Sequence, residues 1–442
     1  MKKFVYLCCL TVFLYSCKQP GDYKKFTHDP LLYSKTVKKL NDVVLYNNFA
    51  PVVASRNYAY ANIAAYECIA AGDSNYYSLH GQIRHLPQMP QPPAGKPIDY
   101  SLAALLSFVK VGNAVTFPEG VLMDYYESLK KSADSAGMPE DVLENTVAFS
   151  DAVTAAIMKW SKEDNYAQTR SAEKYTVTNE EGRWIPTPPA YSQAMEPHWC
   201  DIRTLLLDSA TQFDAPPPPV YNMKDSTSEF CQQLMEVKRV GDSLTDEQKH
   251  IADFFDDNPF NLHVTGHVMY ATKKFSPPGH WMNIVGIAAE KAKSDFNTTV
   301  AAYTATSIAL FDGFISCWKT KFEHNSIRPE TVINKYIDPN WRPYIQTPPF
   351  PSYVSGHSVI SSASAEVMTH FFGDNFAYTD TSELEFGVPN LSFKSFRDAA
   401  QQAGQSRLYG GIHYRVDLDQ GAIVGQKIGD FVVQKLRMKK TA

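Results

Sequence analysis

Three separated stretches of this 442-residue chain carry side chains that make chemical sense together. The first is Lys321-Phe322-Glu323-His324-Asn325-Ser326-Ile327-Arg328-Pro329. Seven residues are close to two helical turns, so Lys321 and Arg328 can project from one face if a helix persists, while Pro329 discourages continuation past Arg328. Two cations on one face need an anion between them, or else both point into water; taken alone, the segment reads as a solvated face. The second is Pro351-Ser352-Tyr353-Val354-Ser355-Gly356-His357, just ahead of an apolar helical stretch. A helix N-terminus offers free N–H groups and a positive dipole end to an anion. Gly356 permits close backbone approach, Ser355 adds a hydroxyl and His357 a group that exchanges protons near neutral pH; alone, this is also an ordinary cap. The third is Ser406-Arg407, followed by His413 and Asp417. At a helical spacing of four, Asp417 can bind one imidazole nitrogen of His413 and leave the other free as ligand or nucleophile. Arg407 adds a third cation, although a cap or salt bridge would explain this stretch by itself.

In combination, Lys-x6-Arg-Pro, Pro-Ser-x-x-Ser-Gly-His and Ser-Arg-x5-His-x3-Asp resemble the tripartite pattern of the superfamily of vanadium-dependent haloperoxidases and type 2 phosphatidic acid phosphatases. Trp184 to Pro189, Glu196 to Trp199 and Pro277 to Trp281 look like segments of the bacterial haloperoxidases, and Trp318 and Phe350 stand where some of them carry aromatic residues. Val354, in place of a frequent proline, and Ser326-Ile327, in place of aromatic residues, depart from the pattern without removing a chemical group; they put the halide preference in doubt. The resemblance implies an all-α fold of helical bundles and a bound vanadate. It implies His413 as the axial vanadium ligand, oriented by Asp417. Lys321, Arg328 and Arg407 would neutralise the oxygens, with Ser355 and the Gly356 N–H adding hydrogen bonds. His357 would act as acid–base group towards hydrogen peroxide, and iodide or bromide would leave as hypohalous acid. The same groups suit a phosphatase of the superfamily, working without vanadate through a phosphohistidine at His413 and with a phosphoester as substrate. A non-catalytic envelope lipoprotein that binds glycans or protein is the third reading, although a binding module has no need of three cations, two histidines and a carboxylate.

Helical elements must position these residues. Helical period and composition predict helices over 52–71, 142–160, 246–255, 299–318 and 359–372, with Gly72 and Gly373 as stops and Thr245/Gln248 as a capping box. Proline-rich stretches at 87–97, 186–189 and 216–219 mark loops or joints. Strand signals are few and short. The expected organisation is an N-terminal helical region over 28–240 and a catalytic region over 241–442, read as two bundles meeting near 220–245.

Met1-Lys2-Lys3 followed by an apolar stretch to Leu14 reads as a signal peptide over 1–16. Leu14-Tyr15-Ser16-Cys17 resembles a bacterial lipobox, so Cys17 is the expected lipidation site, 17–27 a tether, and the location an exported, lipid-anchored one in the cell envelope. Composition fits a soluble globular chain: 42 Lys+Arg against 47 Asp+Glu and 13% aromatic residues exclude disorder and give no surplus charge for nucleic acid. No run of 18 apolar residues is evident, which argues against a membrane-spanning helix. Cys68, Cys200, Cys231 and Cys317 lack C-x-x-C spacing, so they are either paired or buried free thiols. His263, His267 and His280 invite a metal reading, but Pro277-Pro278 and the want of a nearby acid favour capping or packing. His324 lies between the first two cations, and Asp256-Asp257 and Glu180-Glu181 read as solvated loops.

Overall fold

The computed structural model describes residues 23–117, 120–178 and 180–440; the leader, Cys17 and the first part of the tether lie outside them. The amino-terminal half contributes α1 (Tyr23–Thr27), α2 (Pro30–Tyr46), α3 (Pro51–Gly72), α4 (Tyr100–Val115), α5 (Val121–Ser135), α6 (Glu140–Ser161) and α7 (Tyr166–Thr169). There follow α8 (Glu229–Asp242), α9 (Asp246–Phe254), strands β1 (Asn261–Thr265) and β2 (Val268–Thr272), α10 (Pro277–Ala292), α11 (Phe296–His324) and α12 (Pro329–Tyr336). The chain closes with α13 (Gly356–Phe372), β3 (Tyr378–Asp380), β4 (Leu391–Phe393), α14 (Phe396–Tyr409) and α15 (Arg415–Lys435). The all-α expectation holds, since among the described residues the sheets are only two-stranded hairpins.

Local chemistry explains many of the boundaries. Proline occupies the first turn of α2, α3, α10 and α12, where its missing N–H costs nothing. Side chains of Asp29, Asp99, Ser228, Asp295, Ser355 and Ser395 cap the N-termini of α2, α4, α8, α11, α13 and α14. Thr245 and Gln248 form the predicted capping box of α9.

The axis of the molecule is α11. It packs against α3 on one side and α13 on another, and α13 in turn packs along α15. By length and composition α11 is apolar enough to cross a membrane, contrary to the expectation that no segment is, yet its apolar window is wholly buried in protein. The sequence count missed it because small polar residues such as Thr304, Thr306, Ser307 and Ser316 interrupt the apolar run while still being buried. Buried Asp312 ties α11 to the loop before it in the fold: its carboxylate accepts the N–H groups of Leu205, Leu206 and Leu207 at 2.7, 2.7 and 3.0 Å. Burial pushes that carboxyl up to about 6, against the three hydrogen bonds.

Close approach of α13 and α15 depends on three glycines one helical turn apart, Gly421, Gly425 and Gly429. A Cβ at Gly425 would fall 2.1 Å from the Val359 carbonyl oxygen, and one at Gly429 2.6 Å from that of Ala363. Even alanine would therefore force the two helices apart, and with them the start of α15 from the start of α13, where the chemistry is concentrated.

Segment 261–272 is a hairpin turning at Gly266, whose φ of 59° suits the left-handed region, and not a helix on which His263 and His267 could share a face. His263 pairs with Tyr270 and stacks on it at 4.9 Å. The three histidines thus do not share a helix face. The four cysteines are free thiols, three of them buried.

Candidate active site

Lys321, Arg328 and Arg407 converge in the interior. Lys321 and Arg328 do not share a continuous helix: α11 stops at His324, Asn325 adopts the left-handed conformation, and Arg328 becomes the N-cap of α12. The turn between them nevertheless brings both inward. Lys321 donates from Nζ to the carbonyl oxygens of Pro351 and Ser352 at 2.9 and 2.8 Å. Arg328 donates from Nε to Phe350 O at 2.9 Å and from Nη1 to Ile412 O at 2.8 Å. Both cations lie 5.1 Å from the centre of the Phe350 ring, which stacks at an angle on Trp318. Arg407 donates to Ser406 Oγ at 3.0 Å, to Asp256 O at 3.4 Å and to Phe255 O. The solvated-face reading of Lys321 and Arg328 is thereby overturned, because each is fully buried and is held chiefly by neutral carbonyls.

Such an arrangement is electrostatically costly. Burial, assisted by Arg328, lowers the Lys321 ammonium to about 7; burial likewise lowers Arg328 to about 9 and Arg407 to about 10. A buried cluster of this kind, with Asp417 as its nearest carboxylate, is suited to binding an anion.

His413 sits among these cations. Its Nδ1 lies 2.8 Å from Asp417 Oδ2, so the Nδ1 proton donates to the carboxylate and Nε2 keeps its lone pair. Arg328 Nη1 is 3.1 Å from that Nε2. Burial, then Arg328, Lys321 and Arg407, hold the imidazole well below its usual pKa, so it is neutral. Asp417 belongs to the first turn of α15, and His413 precedes it in the approach to that helix, so the pairing comes from a helix start rather than from a helix interior. Ser352 Oγ donates to the same Asp417 oxygen at 2.5 Å, and Ser355 N–H donates to the Asp417 carbonyl at 2.9 Å, locking the start of α15 against the start of α13. Burial raises the Asp417 carboxyl to about 6, opposed by Ser352 and the two nearest cations.

His357, in the first turn of α13, leaves 15% of its side chain accessible and lies with Nε2 3.3 Å from Asp257 Oδ2, outside good hydrogen-bond geometry. Burial, then Arg407, lowers it to about 4. Gly356, His357, Arg407 and His413 line one cavity of about 410 Å³, walled on its apolar side by Phe314, Trp318 and Phe350. Ser355 caps α13 beside them.

The donor set fits a tetrahedral oxyanion. Besides the three cations, Arg328 Nη2 is buried without a partner, and an oxyanion would satisfy it. Each residue expected from the sequence is in this region: Lys321, Arg328, Ser355, Gly356, His357, Arg407, His413 and Asp417. His324 is not; it packs edge-on to Tyr353 at a centroid distance of 5.5 Å. Sequence reasoning missed Ser352, whose position in Pro-Ser-x-x-Ser-Gly-His was its only signal. It also misread Asp256 and Asp257 as solvated; both are buried, because the turn after α9 folds inward.

A helical fold with an oxyanion cage and a carboxylate-oriented histidine defines a class of phosphate- and vanadate-handling enzymes. Comparison with known proteins narrows this. Residues 334–440 match the family model of the VCPO second helical-bundle domain. A bacterial vanadium-dependent iodoperoxidase of known structure is 43% identical, superposes with a TM-score of 0.88, and the match covers 93% of this chain and 98% of that one. The holo form of a bacterial vanadium-dependent chloroperoxidase shares the fold at 16% identity and a TM-score of 0.66, over 88% of this chain and 92% of that one. No curated protein matches. The chain belongs to the vanadium-dependent haloperoxidase family.

Proposed function

We propose that this protein oxidises halide, iodide or bromide, with hydrogen peroxide, at a vanadate held by Lys321, Arg328, Ser355, Gly356, His357, Arg407 and His413. The observation that carries the reading is the neutral His413 imidazole, tied at Nδ1 to Asp417 and offering Nε2 within a cage of three buried cations. Vanadate, when bound, supplies a Lewis-acidic centre that activates peroxide for two-electron oxidation of the halide. The Nε2 lone pair of His413 would hold the oxyanion, and Asp417 keeps the proton on Nδ1. Lys321, Arg328 and Arg407 balance the anion's charge, and the free Nη2 of Arg328 gains an acceptor. With Nε2 turned towards Asp257, His357 keeps Nδ1 to take up the proton that peroxide gives up on binding, and its lowered pKa holds it in the accepting form near neutral pH. Trp318, Phe350 and Phe314 exclude water from that wall of the cavity.

The test compares two activities of one preparation. Loading the purified apo-protein with orthovanadate should produce peroxide-dependent halide oxidation, whereas the vanadate-free protein should hydrolyse p-nitrophenyl phosphate poorly. Ester turnover with no vanadate-dependent halide oxidation would replace this reading by the phosphatase.

Vanadate affinity should fall with rising pH. Lys321 is lowered to about 7 in the buried cage, so above that pH it is neutral before binding and must regain a proton when the anion enters. One proton taken up per anion predicts that apparent Kd rises about tenfold per unit above pH 7 and is flat just below it. Equilibrium dialysis at pH 6, 7, 8 and 9 measures this, and a flat profile over that range would remove Lys321 from the charge balance.

We also propose that the protein is exported and anchored in the cell envelope through acyl chains on Cys17, on the strength of the lipobox-like Leu14-Tyr15-Ser16-Cys17. Mass spectrometry of the mature N-terminus tests this; an unmodified Cys17 rejects it.

A further inference from the structure

Behind His357 lies a row of buried titratable groups of which the reading above uses only Asp257. Asp257 presents Oδ2 to His357 Nε2 at 3.3 Å and Oδ1 to His280 Nδ1 at 2.8 Å. On its far side His280 Nε2 meets Asp380 Oδ2 at 3.0 Å, and Asp380 is itself held by Ser382, whose N–H and hydroxyl donate to its other oxygen at 2.9 and 2.7 Å. Both ring nitrogens of His280 therefore face carboxylates, and both can donate only if the ring is an imidazolium. Burial alone would discharge it, but the two carboxylates override burial and raise it well above its usual range. The groups facing it are few: Asp257 from the turn after α9, Asp380 from β3, and Glu383 beyond. Burial lifts Glu383 to about 8, leaving it protonated near neutral pH, opposed first by His280 itself and then by Lys274. The rings of Phe254 and Phe255 close over His280 at 5.4 and 5.5 Å.

One short turn, residues 255–257, serves both catalytic partners. The carbonyls of Phe255 and Asp256 hold the Arg407 guanidinium, and the carboxylate of Asp257 faces His357. Asp257 adopts φ 46°, in the left-handed region that aspartate enters more readily than most side chains and that turns its carboxylate towards both His357 and His280. His280, in the first turn of α10 after Pro277 and Pro278, meets that carboxylate from the far side.

We propose that His280 is a positioning residue for halide oxidation: clamped between Asp257 and Asp380, it holds the 255–257 turn against Arg407 and His357. This rests on the haloperoxidase reading. Loss of the clamp lets Asp257 swing and Arg407 lose its carbonyl acceptors, with the reacting groups themselves intact.

The test uses full-length vanadate-loaded enzyme and a double-mutant cycle. His280→Gln should lower kcat for halide oxidation about tenfold or more with the halide KM within about twofold, and weaken vanadate binding by equilibrium dialysis several-fold. Asp257→Asn should give a similar loss, and the double variant should be no worse than Asp257→Asn alone, because His280 acts through that residue. Losses that multiply in the double variant, or a His280→Gln enzyme with kcat within twofold of the parent, overturn the proposal. Should His280→Gln fail to fold, Asp380→Asn decides, since it retains an acceptor for His280: a kcat about threefold lower at unchanged halide KM supports the clamp, and an unchanged kcat overturns it. Parent enzyme that binds vanadate but oxidises no halide would instead refute the haloperoxidase reading itself, while the dialysis arm still reports on Arg407.

Discussion

Replacing His413 by alanine is expected to abolish vanadate-dependent halide oxidation, lowering kcat on the order of 10³-fold or more, as removal of the central group of a cooperating site does. The expectation follows from which group can donate an electron pair to the anion. Lys321, Arg328 and Arg407 carry only N–H donors, and Ser355 and the start of α13 offer hydrogen bonds. The Nε2 of His413 presents a lone pair among the three cations, because its Nδ1 proton donates to Asp417 and the surrounding cations keep the ring neutral. The alanine variant retains the cations and should still concentrate oxyanions by charge, so equilibrium dialysis should show weakened but measurable vanadate binding. Activity and binding thus separate. Peroxidase turnover of His413→Ala within tenfold of the parent would place the anchoring group elsewhere, and a binding-only protein would keep its function altogether. Because His413 is buried and bonded to Asp417 and Arg328, its removal also costs some stability, and thermal unfolding measured beside the kinetics separates that from the loss of activity in the folded enzyme.

What the sequence disclosed, and what it withheld, follow from the distance over which each residue finds its partner. His413 and Asp417 are four residues apart, and that spacing carried the pairing even though the local structure is a helix start and not a helix interior. Ser355, Gly356 and His357 announce an anion-binding helix terminus within three consecutive positions. Lys321 and Arg328 were legible as a pair but not as buried, because their acceptors are carbonyls of residues 350–352 and 412, and a carbonyl leaves no mark on residue type. Asp257 was misread as solvated, and the acidic partners of His280 were missed, because those partners are remote in sequence. Each looked unpartnered along the chain, and the fold supplies partners 23 and 100 residues away. The 261–272 hairpin escaped because its strands alternate weakly and leave Val264, Val268, Met269 and Tyr270 exposed, which removes the period-two signal. Helices fared better, and α3, α6, α9, α11 and α13 appear near their predicted bounds, since caps, glycine stops and proline starts are local.

Asp417 carries the second large expected effect. Its Oδ2 accepts from Ser352 Oγ, from the backbone N–H of Tyr414 at 3.3 Å and from His413 Nδ1, and among the described residues it is the carboxylate paired with His413. Asp417→Ala removes both the acceptor that selects the His413 tautomer and the anion that offsets Lys321 and Arg328. Asp417→Asn keeps an oxygen that can accept the same three hydrogen bonds but loses the charge. If orientation is the larger part of the contribution, the asparagine variant should weaken vanadate binding by about tenfold and the alanine variant by about 100-fold, the range seen when the partner of a ligating histidine is removed. The charge effect has a definite sign. Loss of the carboxylate lowers the basicity of His413 and leaves the cage more cationic, so long-range attraction for the anion rises while the anchoring bond weakens. Turnover at saturating vanadate should therefore fall further in Asp417→Ala than its affinity alone accounts for. Dialysis and kcat measured on both variants separate these contributions; equal affinities for parent and alanine variant would show that Ser352 and Arg328 orient His413 without the carboxylate.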